Sequence, residues 1–547
     1  MKKKLVILSI GMLPLVATHA QQQDTTLVRT VVVENEYNPT VMDASKINVL
    51  PKVEEPTVPK THIDYANSIR QLSAWNYQAM QPIVKDWKAD AAYRGYLRGG
   101  YGNNGNVDAA LGYLWDISKK DRLNLSASLG GWNGDLAKIY NQEWESRLYD
   151  SKVGLDYRHS FKKIDFLLGG SYRSRVFNYV PNYWNADSTL SSNQHQTMAH
   201  AYMGFASNDE DMPIQFQAEA GIKSFKEKYK IRTPEATKET NLYAIADVWK
   251  QALNDSRFGM KVRFDNYAYS YEKVDDVMAL DLNPYYSIQN DEWKVRLGAH
   301  VYWKSGGEDK VYVSPDVKAE YTFADSYVLF AKAEGGRQIS DLYEMADVTP
   351  YLDARDFEPV YMTLDAALGL KASPANGWWF LLSGGYQIRE NDVCLSMGQG
   401  YPFWYADNLY GKTNVFYGTA ELKHNYKDLF DFALKGTYYH WEYKEIWIGD
   451  DFTEPALSLK PEFAVNAEAG FKPMQGLRVN VGYEYVKRCN DKAGDPISNL
   501  YAGADYALLK NLSIFAKFNN LLNKEYVRCN AYPAQKLNLL AGVSIQF

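Results

Sequence analysis

A chain of 547 residues is long enough for three or four ordinary domains or one very large one. Aromatic residues are its outlier, with 43 Tyr, 22 Phe and 14 Trp, and that abundance excludes a disordered chain. A formal charge of −6 without a basic cluster excludes a nucleic-acid partner, and the lack of any apolar run of 18 residues beyond the N-terminus excludes a bundle of membrane helices.

The first twenty residues read as a secretory signal. Lys2, Lys3 and Lys4 precede a short apolar core from Leu5 to Val16, and Thr18-His19-Ala20 forms a small-residue cleavage site before Gln21. Without residues 1–20 the chain carries a charge of about −9. Export is the expectation. Residues 21–90 contain one β-prone run, Leu27 to Val33, and then Pro39, Pro51, Pro56 and Pro59. Proline at that density forbids a long helix or a central strand, so an extended periplasmic or lumenal segment is expected.

From residue 91 to 547 the hydrophobic period is two. Val311, Val313, Pro315, Val317, Ala319, Tyr321 and Phe323 alternate with Tyr312, Ser314, Asp316, Lys318, Glu320 and Thr322. Trp293, Val295, Leu297, Ala299, Val301 and Trp303 alternate with Lys294, Arg296, Gly298, His300 and Tyr302. Each run is about ten residues long, the length at which a tilted strand crosses a bilayer. Trp293 and Trp303 bracket one apolar face at its ends, which fits the roughly 25 Å apolar band of an outer-membrane barrel. A large soluble solenoid or propeller fits less well, because no fixed-period repeat is present.

The connections alternate in length. Short polar turns are expected near Ser118–Asp121, Ser160–Lys163, Leu253–Ser256, Gln289–Glu292, Ala324–Ser326, Ser373–Gly377, Asn425–Asp428, Pro473–Gly476 and Leu509–Asn511. Longer loops are expected at Asn133–Ser146, Val180–Asn193, Ser340–Phe357, Asp392–Tyr410 and Glu445–Leu459. Short periplasmic turns opposite long external loops are the pattern of membrane barrels. The expected fold is all-β: a transmembrane antiparallel barrel of about 22 strands, with both ends on the periplasmic side.

If the apolar faces meet lipid, the polar faces line the interior, with Arg263, Arg296, Asp316, Lys318, Glu320, Arg478 and Glu484 as lumen-facing candidates. Two readings stand: a polar passage for a hydrophilic solute, or a mutually neutralised charge network that fills the interior. Trp184, Phe403, Trp404, Tyr405 and Trp447 are candidate external-loop aromatics. Exposed, they would stack on a sugar or anchor a partner; the simpler reading is an outer aromatic girdle. Of three cysteines, Cys489 and Cys529 fall at the start of neighbouring external loops, and a disulfide between them needs loop bending across about 10 Å. No metal site is expected, since the eight His stand at no ligand spacing. Gly100-Tyr101-Gly102-Asn103-Asn104-Gly105 spells a dinucleotide fingerprint, but a strand follows it, so turn chemistry explains it better. No local signature joins a nucleophile to a base, and neither catalysis nor a cofactor is expected.

The last strand alternates Leu537, Leu539, Ala541, Val543, Ile545 and Phe547 against a mainly polar face, with Leu540 the exception. An amphipathic strand ending in Phe resembles the assembly signal of outer-membrane barrels. Asn519-Asn520-Leu521-Leu522-Asn523-Lys524-Glu525-Tyr526, followed by Tyr532-Pro533, resembles the closing segment of TonB-dependent receptor barrels. The resemblance is specific over about the last 40 residues, and it implies a 22-stranded barrel in the outer membrane of a diderm bacterium. Asp24 to Val31 loosely resembles a TonB box. The family carries a folded plug of well over a hundred residues ahead of its barrel, on the order of a small domain. Residues 21–90 are too few for one. The resemblance therefore implies a plugless receptor-like barrel that transports or binds a small hydrophilic ligand. The alternative is a non-transporting subunit of an outer-membrane complex, in which residues 21–90 dock a periplasmic partner and the aromatic loops hold a surface lipoprotein.

Overall fold

The computed structural model describes residues 93–547, apart from 140–141, 182–190, 230–236, 253–254, 271–274, 307–308, 325, 352–358, 399–402, 428, 447–459, 490–494 and 530–531. The signal segment and residues 21–90 lie outside the described residues. Twenty-two antiparallel strands run from Gly95–Gly102 to Asn538–Gln546, each paired with its neighbour in sequence. The ring closes where the last strand pairs with the first, from Tyr96↔Gln546 to Gly102↔Leu540. Closure leaves no sheet edge, the condition for a sheet to sit in lipid.

The period-two pattern sorts the two faces as expected. On the strand Lys310–Phe323, Val311 and Val313 are 64% and 61% exposed on the outside, while Ser314 and Asp316 on the inside are 1% and 6% exposed. Trp293 and Trp303 also face outward, and Trp293 stacks near Tyr321 with ring centroids 4.5 Å apart. An outward apolar belt on a closed barrel is stable only in a membrane, where it meets acyl chains instead of water. Among the described residues no helix is long and apolar enough to cross a membrane.

The start of the first strand and the end of the last share one rim with most of the short turns, while the Asn103–Gly105 turn lies on the other. One of these turns joins Pro461–Met474 to Leu477–Arg488 through two residues, and Gly476 supplies its positive φ of +85°. The Asn103–Gly105 segment is a 3-10 turn between two strands, with positive φ at Asn104 and Gly105. That is the turn chemistry expected there.

Two of the expected loops are instead paired strand. Asp121–Ile139 pairs with Gln142–Ser160 down to Ile139↔Gln142, and Trp378–Gly398 pairs with Phe403–Tyr426 down to Gly398↔Tyr405. Beyond the lipid both faces of a hairpin see water, so hydropathy stops alternating while backbone pairing continues. Alternation was the signal used to find strands, so these extensions read as loops. The second hairpin has strands of 21 and 24 residues against 13 in the neighbouring Val360–Ala372, roughly 25 Å of extra strand.

Candidate functional site

The barrel interior is filled on one side and hollow on the other. The filling is the connection between Tyr327–Ile339 and Val360–Ala372, which turns inward and forms the helix Leu342–Val348. Asp341 caps the helix by accepting from the Glu344 N–H at 2.6 Å, and the Glu344 carboxylate accepts from the Ser340 N–H at 2.9 Å. These bonds satisfy donors that a short buried helix otherwise leaves orphaned. Leu342, Met345 and Ala346 pack with Leu148, Phe177, Met198, Phe225 and Val360, a small apolar core inside a polar lumen. Tyr351 from the same connection stacks on Tyr532 from the last one, centroids 3.5 Å apart.

Charged side chains on the wall hold this connection. Arg175, 2% exposed, donates to the Ala346 carbonyl at 2.6 Å; Arg173 reaches Asp347 at 2.5 Å and Asp150 at 2.5 Å. Lys223 pairs with Asp341 at 3.2 Å, and Glu239 accepts from the Leu342 N–H at 2.9 Å. Burial, followed by the nearby Glu344 charge, raises the Asp341 carboxyl from 3.8 to about 6. A raised folded-state value stabilises docking below about pH 4, and that contribution is lost as pH rises through about 6. Hydrogen exchange of the amides 342–348, corrected for intrinsic rate, should therefore be faster at pH 7.5 than at pH 5. Asp341→Asn, which keeps an acceptor for the Glu344 N–H, should abolish that difference.

The sequence missed this device because Arg175 and Ala346 are 171 residues apart. One signal was legible: Asp341-x-x-Glu344 ahead of Met345 and Ala346 is a helix-start pattern inside a stretch expected to be loop.

The lumen-facing candidates are all on the inner wall, and each is paired. Arg263 binds Asp265 at 2.8 Å; Arg296 binds Asp316 at 2.6 Å and the Asn283 carbonyl oxygen at 2.9 Å. Lys318 meets Glu334 at 2.6 Å, Glu320 meets Lys371 at 3.1 Å, Arg478 meets Asp431 at 2.9 Å and Glu484 meets Arg528 at 2.7 Å. Arg296, Asp316, Lys318 and Glu320 cluster on two adjoining strands, with Arg263 near them and Arg478 and Glu484 on a strand farther round the ring.

Of the aromatic candidates, Phe403, Trp404 and Tyr405 lie on strand rather than loop. They begin Phe403–Tyr426, where backbone pairing persists beyond the belt, and Phe403 and Trp404 pair with Pro181 and Val180. The short strand Val180–Pro181 follows Ile164–Asn178, eleven strands away round the ring, so the projecting hairpin reaches across the outer mouth. Trp184 and Trp447 lie outside the described residues. Cys489 is a free thiol that burial pushes up to about 11. The Cys529 side chain lies outside the described residues. No metal-binding cluster occurs among the described residues.

The hollow side holds a cavity of about 1000 Å³. It runs from Gln251, Asp255 and Gln289 at the short-turn rim to Arg389, Trp441 and Lys460 toward the outer end. Lys460 and Arg389 share Asp392, at 2.9 and 3.8 Å.

No protein-family model and no curated protein sequence matches the chain. Solved structures do match. The FrpB iron transporter from Neisseria meningitidis superposes with a TM-score of 0.64 at 10% identity, over 84% of this chain and 82% of that one. The ferric-catecholate import receptor Fiu from E. coli K12 gives 0.60 at 11% identity, over 83% and 82%. The copper transporter OprC gives 0.62 at 10% identity, over 84% and 81%. The fold is that of the TonB-dependent receptor barrels. With the outward apolar belt, this fold makes the chain an integral outer-membrane protein.

Proposed function

We propose that this chain is a plugless receptor-like barrel that passes or binds a small hydrophilic ligand. The observation that carries this reading is the cavity of about 1000 Å³ in the lumen, lined by many charged side chains. A purely structural barrel gains nothing from leaving such a volume unfilled, because packed side chains add dispersion energy. The iron, ferric-catecholate and copper transporters of the same fold support a transport role. Nothing about the site asks for catalysis, and we propose that the chain is not an enzyme.

The test is single-channel conductance in a planar bilayer, on residues 21–547 and on a variant lacking residues 21–90. Steady conductance in either form is expected. Conductance that appears only in the shorter form assigns residues 21–90 as the plug. If both stay silent, the transport reading fails.

A second reading has its own observation. The hairpin reaching to Val180–Pro181 and the Tyr351–Tyr532 stack both bridge the outer mouth. A capped barrel suits a subunit of an outer-membrane complex, with a surface lipoprotein on its outer rim or a periplasmic partner at residues 21–90. Copurification of a stoichiometric partner would favour it.

A further inference from the structure

The cavity wall is not electrically balanced. Nine Lys and Arg side chains line it against four carboxylates. Their placement follows from register. Gln251, Arg257, Ser287, Arg296, Lys318 and Lys332 stand opposite one another on six successive strands, forming one continuous cross-strand row. Four of the six are cationic. Like charges opposite one another on a sheet are destabilising, so a row of them calls for a counter-charge.

Part of that counter-charge is built in. Asp316, Glu334 and Asp365 form a second row, two residues nearer the outer end on three of the same or adjoining strands. Arg296 uses Asp316, Lys318 uses Glu334, and Lys332 bridges Glu334 and Asp365 at 3.3 and 2.7 Å. Arg257 is different: it donates to the Ser287 hydroxyl at 3.0 Å and lies 5.8 Å from the Tyr285 ring. Lys294, one step toward the short-turn rim from Arg296, and Lys435 across the cavity also line it. Among the described residues no carboxylate lies within 4.0 Å of Arg257, Lys294 or Lys435; Glu320 and Glu421, which stand opposite Lys294 and Lys435 on the next strands, are held by Lys371 and Lys423 at 3.1 and 2.8 Å. All three point charge into a water-filled space walled by low-dielectric protein and lipid, which focuses their field.

We propose that the short-turn half of this cavity is an anion site, selecting solutes that carry carboxylate, phosphate or sulfate groups. It rests on the reading of the barrel as a passage or binding chamber and names the charge class of its ligand. Arg257, and Lys294 and Lys435 beside acids already bonded to Lys371 and Lys423, supply the excess positive charge. Arg296, Lys318 and Lys332, neutralised by Asp316, Glu334 and Asp365, hold the row in register.

The test uses residues 21–547 in a planar bilayer under a tenfold KCl gradient. The expected chloride-to-potassium permeability ratio is above about 1, because excess Lys and Arg along a passage favour anions. Arg257→Gln, Lys294→Gln and Lys435→Gln combined should bring it to about 1 or below. These side chains leave no carboxylate unpaired when removed, and a heat-modifiable band on SDS gels checks that the triple variant still folds. A conducting wild type that prefers potassium, or a triple variant with unchanged preference, overturns the anion site while leaving the passage intact. If only the form lacking residues 21–90 conducts, the selectivity is read on that form; silence of both forms overturns the passage. The site is then decided by calorimetric titration of the detergent-solubilised protein with inorganic pyrophosphate. Binding weakened about tenfold in the triple variant supports the site, and no binding to the wild type overturns it.

Discussion

Gly542→Val should prevent the barrel from closing. Gly542 sits in the last strand opposite Gly100 of the first, at the seam that turns a sheet into a ring. A Cβ placed on Gly542 meets the Gly99 carbonyl oxygen at 2.2 Å and the Gly100 Cα at 2.6 Å, both backbone atoms that cannot swing aside. The same Cβ would lie 2.6 Å from the tip of the Phe515 ring. Phe515 is buried, with the Arg98 guanidinium 5.6 Å and the Lys517 ammonium 5.4 Å from its centroid. The ring occupies the space that the two glycines leave, so a branched side chain displaces both strand and ring. Overpacking of this kind costs about 3 kcal/mol even in a core that can relax. Here it acts on the pairing that removes the sheet edges. The expected result is loss of the heat-modifiable folded band and a several-fold lower yield in the outer-membrane fraction. Gly99→Ala is the control: its Cβ meets nothing within 4 Å, and it should stay within about 0.5 kcal/mol of wild type.

Asp265→Ala should be the most damaging single change on the inner wall. Asp265 is fully buried and accepts from Arg263 at 2.8 and 2.9 Å, from Asn241 at 3.1 Å and from Arg337. Arg337 in turn donates to the Tyr267 hydroxyl at 3.0 Å and to the Ser340 hydroxyl at 2.8 Å, just before the lumenal helix. Removing the carboxylate strands two guanidiniums away from bulk water, at a cost of about 3–5 kcal/mol. The penalty is the uncompensated charge rather than the pair itself. Asp265→Ala combined with Arg337→Met should therefore recover part of the loss. Urea unfolding followed by Trp fluorescence, on wild type, single and double variants, decides it. A double variant no more stable than the single would refute this account.

Much of the wall was legible before any fold was seen. The alternation around Val311 and Asp316 separates lipid face from lumen face because strand geometry sends successive side chains to opposite sides. The same rule puts Arg263, Arg296, Lys318 and Arg478 on the polar face, where each meets a carboxylate. The rule weakens once a strand leaves the membrane, which is why Phe403–Tyr405 read as loop.

The sequence by itself determined the strand period, the lipid belt and the turn rim. All of these are properties of about ten consecutive residues at a time, and hydropathy reports them directly. Tertiary structure alone decided what occupies the lumen. The inward helix depends on Arg175 meeting Ala346 and on Tyr351 meeting Tyr532, contacts made across the ring by residues far apart in the chain. The basic row likewise exists only once six strands are in register. A one-residue slip sends every one of those charges to the lipid face. Which charges are neutralised and which stay open to a ligand is therefore set by closure of the ring, not by any local pattern.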